Sequence, residues 1–361
     1  MIEVGSKIRF ERNKKTYEGE VIRITKKCYY VDVGEKKWWV KKKDVVEIEE
    51  NIDTKIDDIS INKIYNLDCI TYLKKIKNKQ INSIILDPPY FQVVNEKWDN
   101  QWNSFEEYLK WFENIIIELN RISKYSCSCW LFGYPYQLSY IIPLFEKHGF
   151  SYKQHITLNK GIQSVAGRVS KNIKMFPTAS EYIIYFYKDS RNIIKNILQK
   201  KKKEYKYTCK YINTILGKAT NGGGTWSTIA GENQKNIQYP TKSDWDKLDK
   251  LFNGFDIKYE DYVYKFYLPL GITDIWDDIK FYDKTYKNIW KEKYKTKCNH
   301  KTMKPYKLIE RIINCSTDKN DIVLDIFMGT GMTGKVCKDL GRNIMGCEID
   351  KNYVIKSLFY I

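Results

Sequence analysis

The stretch Ile322-Val323-Leu324-Asp325-Ile326-Phe327-Met328-Gly329-Thr330-Gly331-Met332-Thr333-Gly334 holds the fold in miniature. A short apolar strand runs into a glycine-rich bend, and the residues beyond it, through Leu340, have helical spacing. Glycines let a backbone turn sharply and approach a ligand closely, and the start of a helix offers unpaired N–H groups there. The next apolar strand, Asn343–Glu348, ends in a carboxylate, Glu348, placed to accept hydrogen bonds from both hydroxyls of a ribose. Gly329, Gly331 and Gly334 satisfy the G-x-G-x-x-G spacing of dinucleotide sites. On this segment alone, a nicotinamide oxidoreductase therefore stays in competition.

Outward from the bend, strands alternate with helices over most of the chain. Asn82–Leu86, Cys129–Phe132, Glu181–Tyr187 and Asp321–Ile326 are short apolar strands, while Phe105–Ser123, Gln137–His148, Lys304–Cys315 and Gly334–Leu340 carry helical periodicity. Repeated units of this kind predict an α/β, doubly wound sheet. The rhythm stops between Asn192 and Lys297, a Lys- and Tyr-rich stretch with a Gly222-Gly223-Gly224 loop, which reads as an inserted domain. Residues 1–50 differ again. β-prone stretches at Lys7–Phe10, Tyr17–Ile24, Cys28–Val33 and Lys36–Val40, with turns at Asn13-Lys14-Lys15, Lys26-Lys27 and Gly34-Glu35, predict a small all-β unit that resembles Tudor-like barrels. Tyr29, Tyr30, Trp38 and Trp39 either fill its core or line a binding face, and the polar segment Glu49–Asp58 is the expected linker.

Leu86-Asp87-Pro88-Pro89-Tyr90-Phe91 separates the cofactor classes. Two consecutive prolines remove two backbone donors and hold the chain extended. A strand ending this way presents the Asp87 carboxylate and the Pro88 carbonyl as fixed acceptors, with the Tyr90 ring beside them. An exocyclic amino group needs that arrangement, because its lone pair is delocalised into the base and it is a poor nucleophile. Two acceptors bind its two hydrogens and draw the nitrogen toward tetrahedral geometry. Tyr90 can stack on a base taken out of the duplex. A dehydrogenase has no use for such a corner.

With both motifs in hand, the sequence resembles the amino-methyltransferases that modify DNA, in the permuted arrangement called the β class. In that family the Asp-Pro-Pro-Tyr motif comes first, the target-recognition region next and the Phe-x-Gly-x-Gly motif last, as in residues 62–361 here. The resemblance implies a Rossmann-like, mostly parallel seven-stranded sheet, S-adenosylmethionine as cofactor with S-adenosylhomocysteine as product, and double-stranded DNA as partner. It implies catalytic roles for Asp87, Pro88, Pro89 and Tyr90. It implies cofactor contacts from Asp68 and Cys69 in Asn66-Leu67-Asp68-Cys69, where Leu67 replaces the usual Gly. Further contacts are implied from Thr302 and Lys304 in His300-Lys301-Thr302-Met303-Lys304-Pro305, a segment that helps hold the methionine portion and in which Lys301 replaces the usual Pro. Asp325, Phe327, Gly329, Thr330, Gly331 and Glu348 complete the set, with Thr330 where Ser is commoner. An Asp at the corner associates mainly with N6-adenine enzymes and a Ser mainly with N4-cytosine enzymes, so N6 of adenine is the expected target and N4 of cytosine the alternative. Methylation of RNA or of protein glutamine uses related corners, more often with Asn. The reaction implied is in-line attack of the amino nitrogen on the sulfonium methyl. The implied division of the chain is a β-barrel at 1–50, the first part of the core at 59–190, target recognition at 191–299 and the second part of the core at 300–361.

Composition agrees with a polyanionic partner. The formal net charge is +18, and residues 191–299 hold 22 Lys or Arg against 13 Asp or Glu, half of that excess. Lys200–Lys203 and Lys291, Lys293, Lys295 and Lys297 can neutralise phosphates, and polar side chains near Gly222–Gly224 and Trp226 are the candidates for base readout. Lys160–Lys174, with Arg168, is a candidate mobile loop near DNA. The nine cysteines lack metal-ligand or disulfide spacing, so reduced thiols and no metal are expected. No Pro-Cys pair occurs, which removes the nucleophile of cytosine-C5 chemistry. Met1–Phe10 has no apolar signal core and no apolar run reaches membrane-span length, so a cytoplasmic, DNA-associated protein is expected. The family resemblance also admits a restriction endonuclease partner and a homodimer.

Overall fold

A computed structural model describes residues 7–12, 15–25, 28–34, 36–41, 45–49, 59–93, 99–165, 174–220, 224–231, 237–281, 285–294, 303–357 and 359. The chain forms two compact units, Met1–Ile59 and Ser60–Ile361.

In the first unit, β1 (Lys7–Arg12), β2 (Lys15–Ile24), β3 (Cys28–Asp32), β4 (Lys37–Lys41) and β5 (Val45–Glu49) form an antiparallel sheet in the order β4-β3-β2-β1-β5. β5 was not anticipated. Barrel closure is not among the pairings of the described residues, because β4 and β5 stand at opposite edges and closure needs edges that meet. Alternation along the strands settles the aromatics. Tyr29 is buried with Phe10, Val31 and Val40, and Trp38 packs on that cluster, whereas Tyr30 stacks on a half-exposed Trp39 on the other face. Residues 50–58 of the expected linker, and the turn residues 13–14, 26–27 and 35, lie outside the described residues.

The second unit begins with β6 (Lys63–Tyr65), α1 (Cys69–Lys75), β7 (Ile81–Leu86), α2 (Phe105–Ile122), β8 (Ser123–Gly133), α3 (Pro135–Lys147), β9 (Ser151–Asn159) and β10 (Ser180–Tyr187). Helices α4 (Arg191–Tyr205), α5 (Cys209–Leu216), α6 (Thr225–Ala230), α7 (Lys242–Leu251) and α8 (Tyr259–Tyr262) follow. The chain closes with β11 (Ile275–Trp276), α9 (Thr285–Tyr294), α10 (Tyr306–Ser316), β12 (Ile322–Asp325), α11 (Met332–Leu340), β13 (Asn343–Cys347) and α12 (Lys351–Ile355). The sheet runs β11-β9-β10-β8-β7-β12-β13-β6. It is mixed and mostly parallel; only β10 is antiparallel to its neighbours. Eight strands are present among the described residues instead of the seven expected, and the two-residue β11 is too short to carry a periodic signal.

Every residue of β7 is buried, because helices cover both faces of a parallel sheet. Its two polar members are satisfied. Asn82 Oδ1 accepts from the Ile322 N–H at 3.0 Å, and the Ser83 hydroxyl meets those of Ser128 and Ser316. α2 starts where the Ser104 side chain accepts from the Glu107 N–H, and buries Tyr108, Phe112, Ile115, Ile116, Leu119 and Ile122, one face of a helix. From β7 the chain crosses to β8 on one side, and from β12 to β13 on the other. The carboxyl ends of β7 and β12 therefore flank a topological switch point, where open α/β sheets bind ligands.

The stretch read as an insertion divides in two. Ile194, Leu198, Ile212, Leu216, Trp226, Trp245 and Leu248 form a separate core, so Trp226 is a packing residue rather than a landmark on a reading surface. Beyond it, Trp276, Ile279 and Trp290 return to the core beside the main sheet. Lys203, Lys291 and Lys293 are exposed, while Gly222, Gly223, Lys295, Lys297 and residues 166–173 lie outside the described residues.

Candidate active site

Four neighbouring parallel strands, β7, β12, β13 and β6, end side by side, and each delivers a carboxylate at or just beyond its end: Asp87, Asp325, Glu348 and Asp68. Strands lie about 4.8 Å apart, so the row spans roughly 14 Å, enough for an extended nucleoside cofactor. β7 and β12 pair directly, with Leu324 opposite Ile84, so the Asp-Pro-Pro-Tyr corner and the glycine bend leave adjacent strands at one edge of the sheet.

At the bend, Gly329 and Gly331 have φ of 49° and 79°, left-handed values that favour glycine. Gly331 also caps α11, so the first N–H groups of that helix open at the bend. Asp325 organises the turn: Oδ1 accepts from the Phe327 N–H at 2.9 Å and Oδ2 from the Thr333 hydroxyl at 2.6 Å. The Glu348 carboxylate accepts from the Gly329 N–H at 2.7 Å through Oε2 and from the Asp350 N–H at 2.8 Å through Oε1. Each oxygen keeps a further lone pair for another donor. Behind the bend, Gly346 permits a close approach: a Cβ there would lie 2.7 Å from the Asp325 carbonyl and from Met328. Asp68 is exposed at the far end of the row, where it caps α1 by accepting from the Thr71 N–H. Cys69 is buried, and that burial, aided by Asp68, pushes its thiol up to about 12. Thr330 is buried within the bend. Thr302 lies outside the described residues.

Burial pushes the Asp325 carboxyl up to about 7; the Asp87 and Glu348 carboxylates add to this, against the hydrogen bonds from Thr333 and Phe327. That value is above the unfolded one, near 3.9. The stability this group contributes is therefore full below about pH 4 and lost as pH rises toward 7. Asp325→Asn keeps an acceptor for Phe327 and removes the titration. Denaturant unfolding between about pH 4 and 8 is expected to show a flatter profile for the variant, with a difference of up to about 4 kcal/mol accumulated at the alkaline end. Parallel profiles would contradict the assignment.

At the corner, Asp87 Oδ1 accepts from the Tyr90 hydroxyl at 2.6 Å and from Lys304 Nζ at 3.1 Å. The Asp99 carboxylate accepts from the Tyr90 N–H, and the Pro89 carbonyl accepts from the Tyr108 hydroxyl. These bonds fix the corner from beneath. Burial, then the Asp87 and Glu181 carboxylates, hold the Tyr90 hydroxyl well above its usual range, so it stays a neutral donor. Tyr134 meets the Tyr90 ring edge-on at 4.9 Å.

Lys304, expected among the cofactor contacts, sets its ammonium on Asp87 and, at 3.3 Å, on Glu181. Glu181 in turn holds Lys160 at 2.7 Å. Sequence reading missed Glu181, Lys160 and Tyr134 as site residues. The available signal was Glu181 itself, a single acid at the head of the apolar run Tyr182–Tyr187.

The N6/N4 methyltransferase family model, described as a DNA methylase, matches residues 81–357. The chain is 27% identical over 310 residues to the Type II methyltransferase M1.MboII of Moraxella bovis, covering 84% of this chain and 97% of that protein. It is 27% identical over 320 residues to the Type II methyltransferase M.BglII of Bacillus subtilis, covering 85% and 71%. Its fold is similar to that of the cytosine-N4-specific PvuII DNA methyltransferase, with a TM-score of 0.52 and 16% identity over 84% of this chain and 86% of that one. Because the matched span takes in both the Asp87 corner and the glycine bend beside it, the chain belongs to the N6/N4 amino DNA methyltransferase family.

Proposed function

We propose that this protein transfers a methyl group from S-adenosylmethionine to the N6 amino group of an adenine flipped out of duplex DNA. The observation that supports the reading is the pairing of β7 with β12, which sets the Asp87 corner and the glycine bend at the ends of adjacent strands. Glu348, the Gly329–Gly331 bend and the start of α11 suit the ribose and methionine parts of that cofactor, which when bound supplies an electrophilic methyl. Asp87 and the Pro88 carbonyl would accept the two amine hydrogens, direct the nitrogen lone pair at the methyl and offset the positive charge that grows on nitrogen during attack. The proton then leaves to solvent. Holding two reactants in line accounts for much of such a rate, up to about 7–11 kcal/mol where alignment is good.

The excess of Lys and Arg in residues 191–299 supports duplex DNA as the partner. The Type II designation of the relatives supports a restriction endonuclease of matching specificity. The test is nucleoside mass spectrometry of DNA treated with the protein and labelled S-adenosylmethionine. N6-methyladenine is expected; N4-methylcytosine would reassign the base while keeping the chemistry, and label in RNA alone would overturn the DNA reading.

A further inference from the structure

We propose that Lys304 reads the ring nitrogen beside the target amine, and that Glu181 is the residue that positions Lys304; both statements rest on the methyltransferase reading above. Lys304 is buried, with Nζ 3.1 Å from Asp87 Oδ1, 3.3 Å from Glu181 Oε2 and 4.8 Å from the centre of the Phe132 ring. The other oxygen of Glu181 takes Lys160, so positive and negative groups alternate as Lys160, Glu181, Lys304 and Asp87. The ammonium has three donors. The two carboxylates engage two of them, and Lys304 also lines the cavity that Tyr90, Tyr134 and Glu181 border.

Binding the amine does not explain this cation. A positive group beside Asp87 opposes the positive charge that develops on the attacking nitrogen, so the lysine weakens the function the corner serves. It must offset that penalty elsewhere. The amine of adenine sits on a carbon whose ring neighbour, N1, carries an exposed lone pair, and cytosine has the same arrangement with N3. The Asp87 carboxylate takes Tyr90 and Lys304 on Oδ1, and its Oδ2 has no hydrogen-bond partner among the described residues. It stands beside the ammonium as an acceptor next to a donor, the complement of an amine next to a ring lone pair. Guanine and thymine present the reverse, a carbonyl next to a ring N–H, and would set carbonyl against carboxylate. The pair thus admits amino bases and rejects keto bases, with recognition at the Watson–Crick edge of the extruded base. Glu181, near the start of β10 and opposite Leu158 of β9, is the ammonium's second carboxylate partner.

The test uses duplexes containing the site that the protein methylates, with the target adenine either intact or replaced by 1-deazaadenine, in which N1 becomes C–H. Affinities are measured with sinefungin, which cannot donate a methyl. The wild-type protein is expected to bind the adenine duplex roughly 10- to 100-fold more tightly, the range for loss of a charge-assisted hydrogen bond. Lys304→Met should bring the ratio near one. Glu181→Ala should lower it while sinefungin affinity persists, and Glu181→Gln should restore part of it, which a merely structural role would not produce. Equal wild-type affinities would overturn the role of Lys304 without any variant having to fold, and an unchanged ratio in a folded Glu181→Ala protein would overturn that of Glu181. Methyl transfer to the unmodified duplex is measured in parallel: transfer with equal affinities rejects this inference alone, whereas no transfer to any duplex rejects the reading beneath it.

Discussion

Asp87→Ala is expected to slow methyl transfer by about 100- to 1,000-fold or more, the effect of removing one preorganised polar group from a transition state, while S-adenosylmethionine still binds. The separation of the two effects follows from position. Asp87 lies beyond β7 and holds Tyr90 and Lys304, whereas at the bend Asp325 holds Phe327 and Thr333 and Glu348 holds Gly329 and Asp350. Lys304 keeps Glu181 as a partner in the variant, so no isolated cation is left buried. Rapid-quench transfer assays and calorimetric titration of cofactor give the two numbers. A variant with wild-type transfer, or one that loses both properties together while folded, would contradict the role given to Asp87.

Gly331→Ala is expected to do the opposite, removing cofactor binding first. The residue has φ of 79°, and a Cβ there would fall 1.7 Å from Ser357 Oγ and 3.1 Å from the Phe359 N–H nitrogen. Left-handed backbone costs an alanine about 1–2 kcal/mol, and forced overpacking about 1–3 kcal/mol more, so destabilisation of roughly 2–5 kcal/mol should accompany the loss. The bend cannot relieve the overlap without moving the N–H groups at the start of α11. Pairing the change with Ser357→Gly removes the overlapping hydroxyl and should return part of the stability but not the share due to φ. Full rescue would locate the whole effect in packing; a single variant that binds S-adenosylmethionine normally would remove the bend from the cofactor site.

How much was legible in the chain depended on whether the cause was local. β7, β12 and β13 were readable because buried parallel strands must be apolar throughout, and the intervening helices because one face must be. Asp87 and Glu348 were readable because each sits where such a strand stops. Lys304 was legible as a site candidate from its motif, but its ion pair with Glu181 was not, since the two lie 123 residues apart and only tertiary packing joins them. Trp226 looked like a surface landmark because it follows a glycine run, yet α6 turns it into a core that Ile194, Trp245 and Leu248 complete. The edges of both sheets were least legible: β11 has two residues, and β5 is a Val- and Glu-rich strand near a polar stretch.

The most direct test of the shared cleft is the affinity of a bisubstrate compound in which the N6 of adenosine is tethered through a short carbon linker to the position of the transferable methyl. If the Asp87 corner and the glycine bend open on one site, this compound should bind at least tenfold more tightly than S-adenosylhomocysteine, about 1.4 kcal/mol, and Asp87→Ala should erase the gain. Identical affinities for the two compounds in the wild-type protein would mean that the amine and the methyl are held apart, contrary to the geometry of β7 and β12.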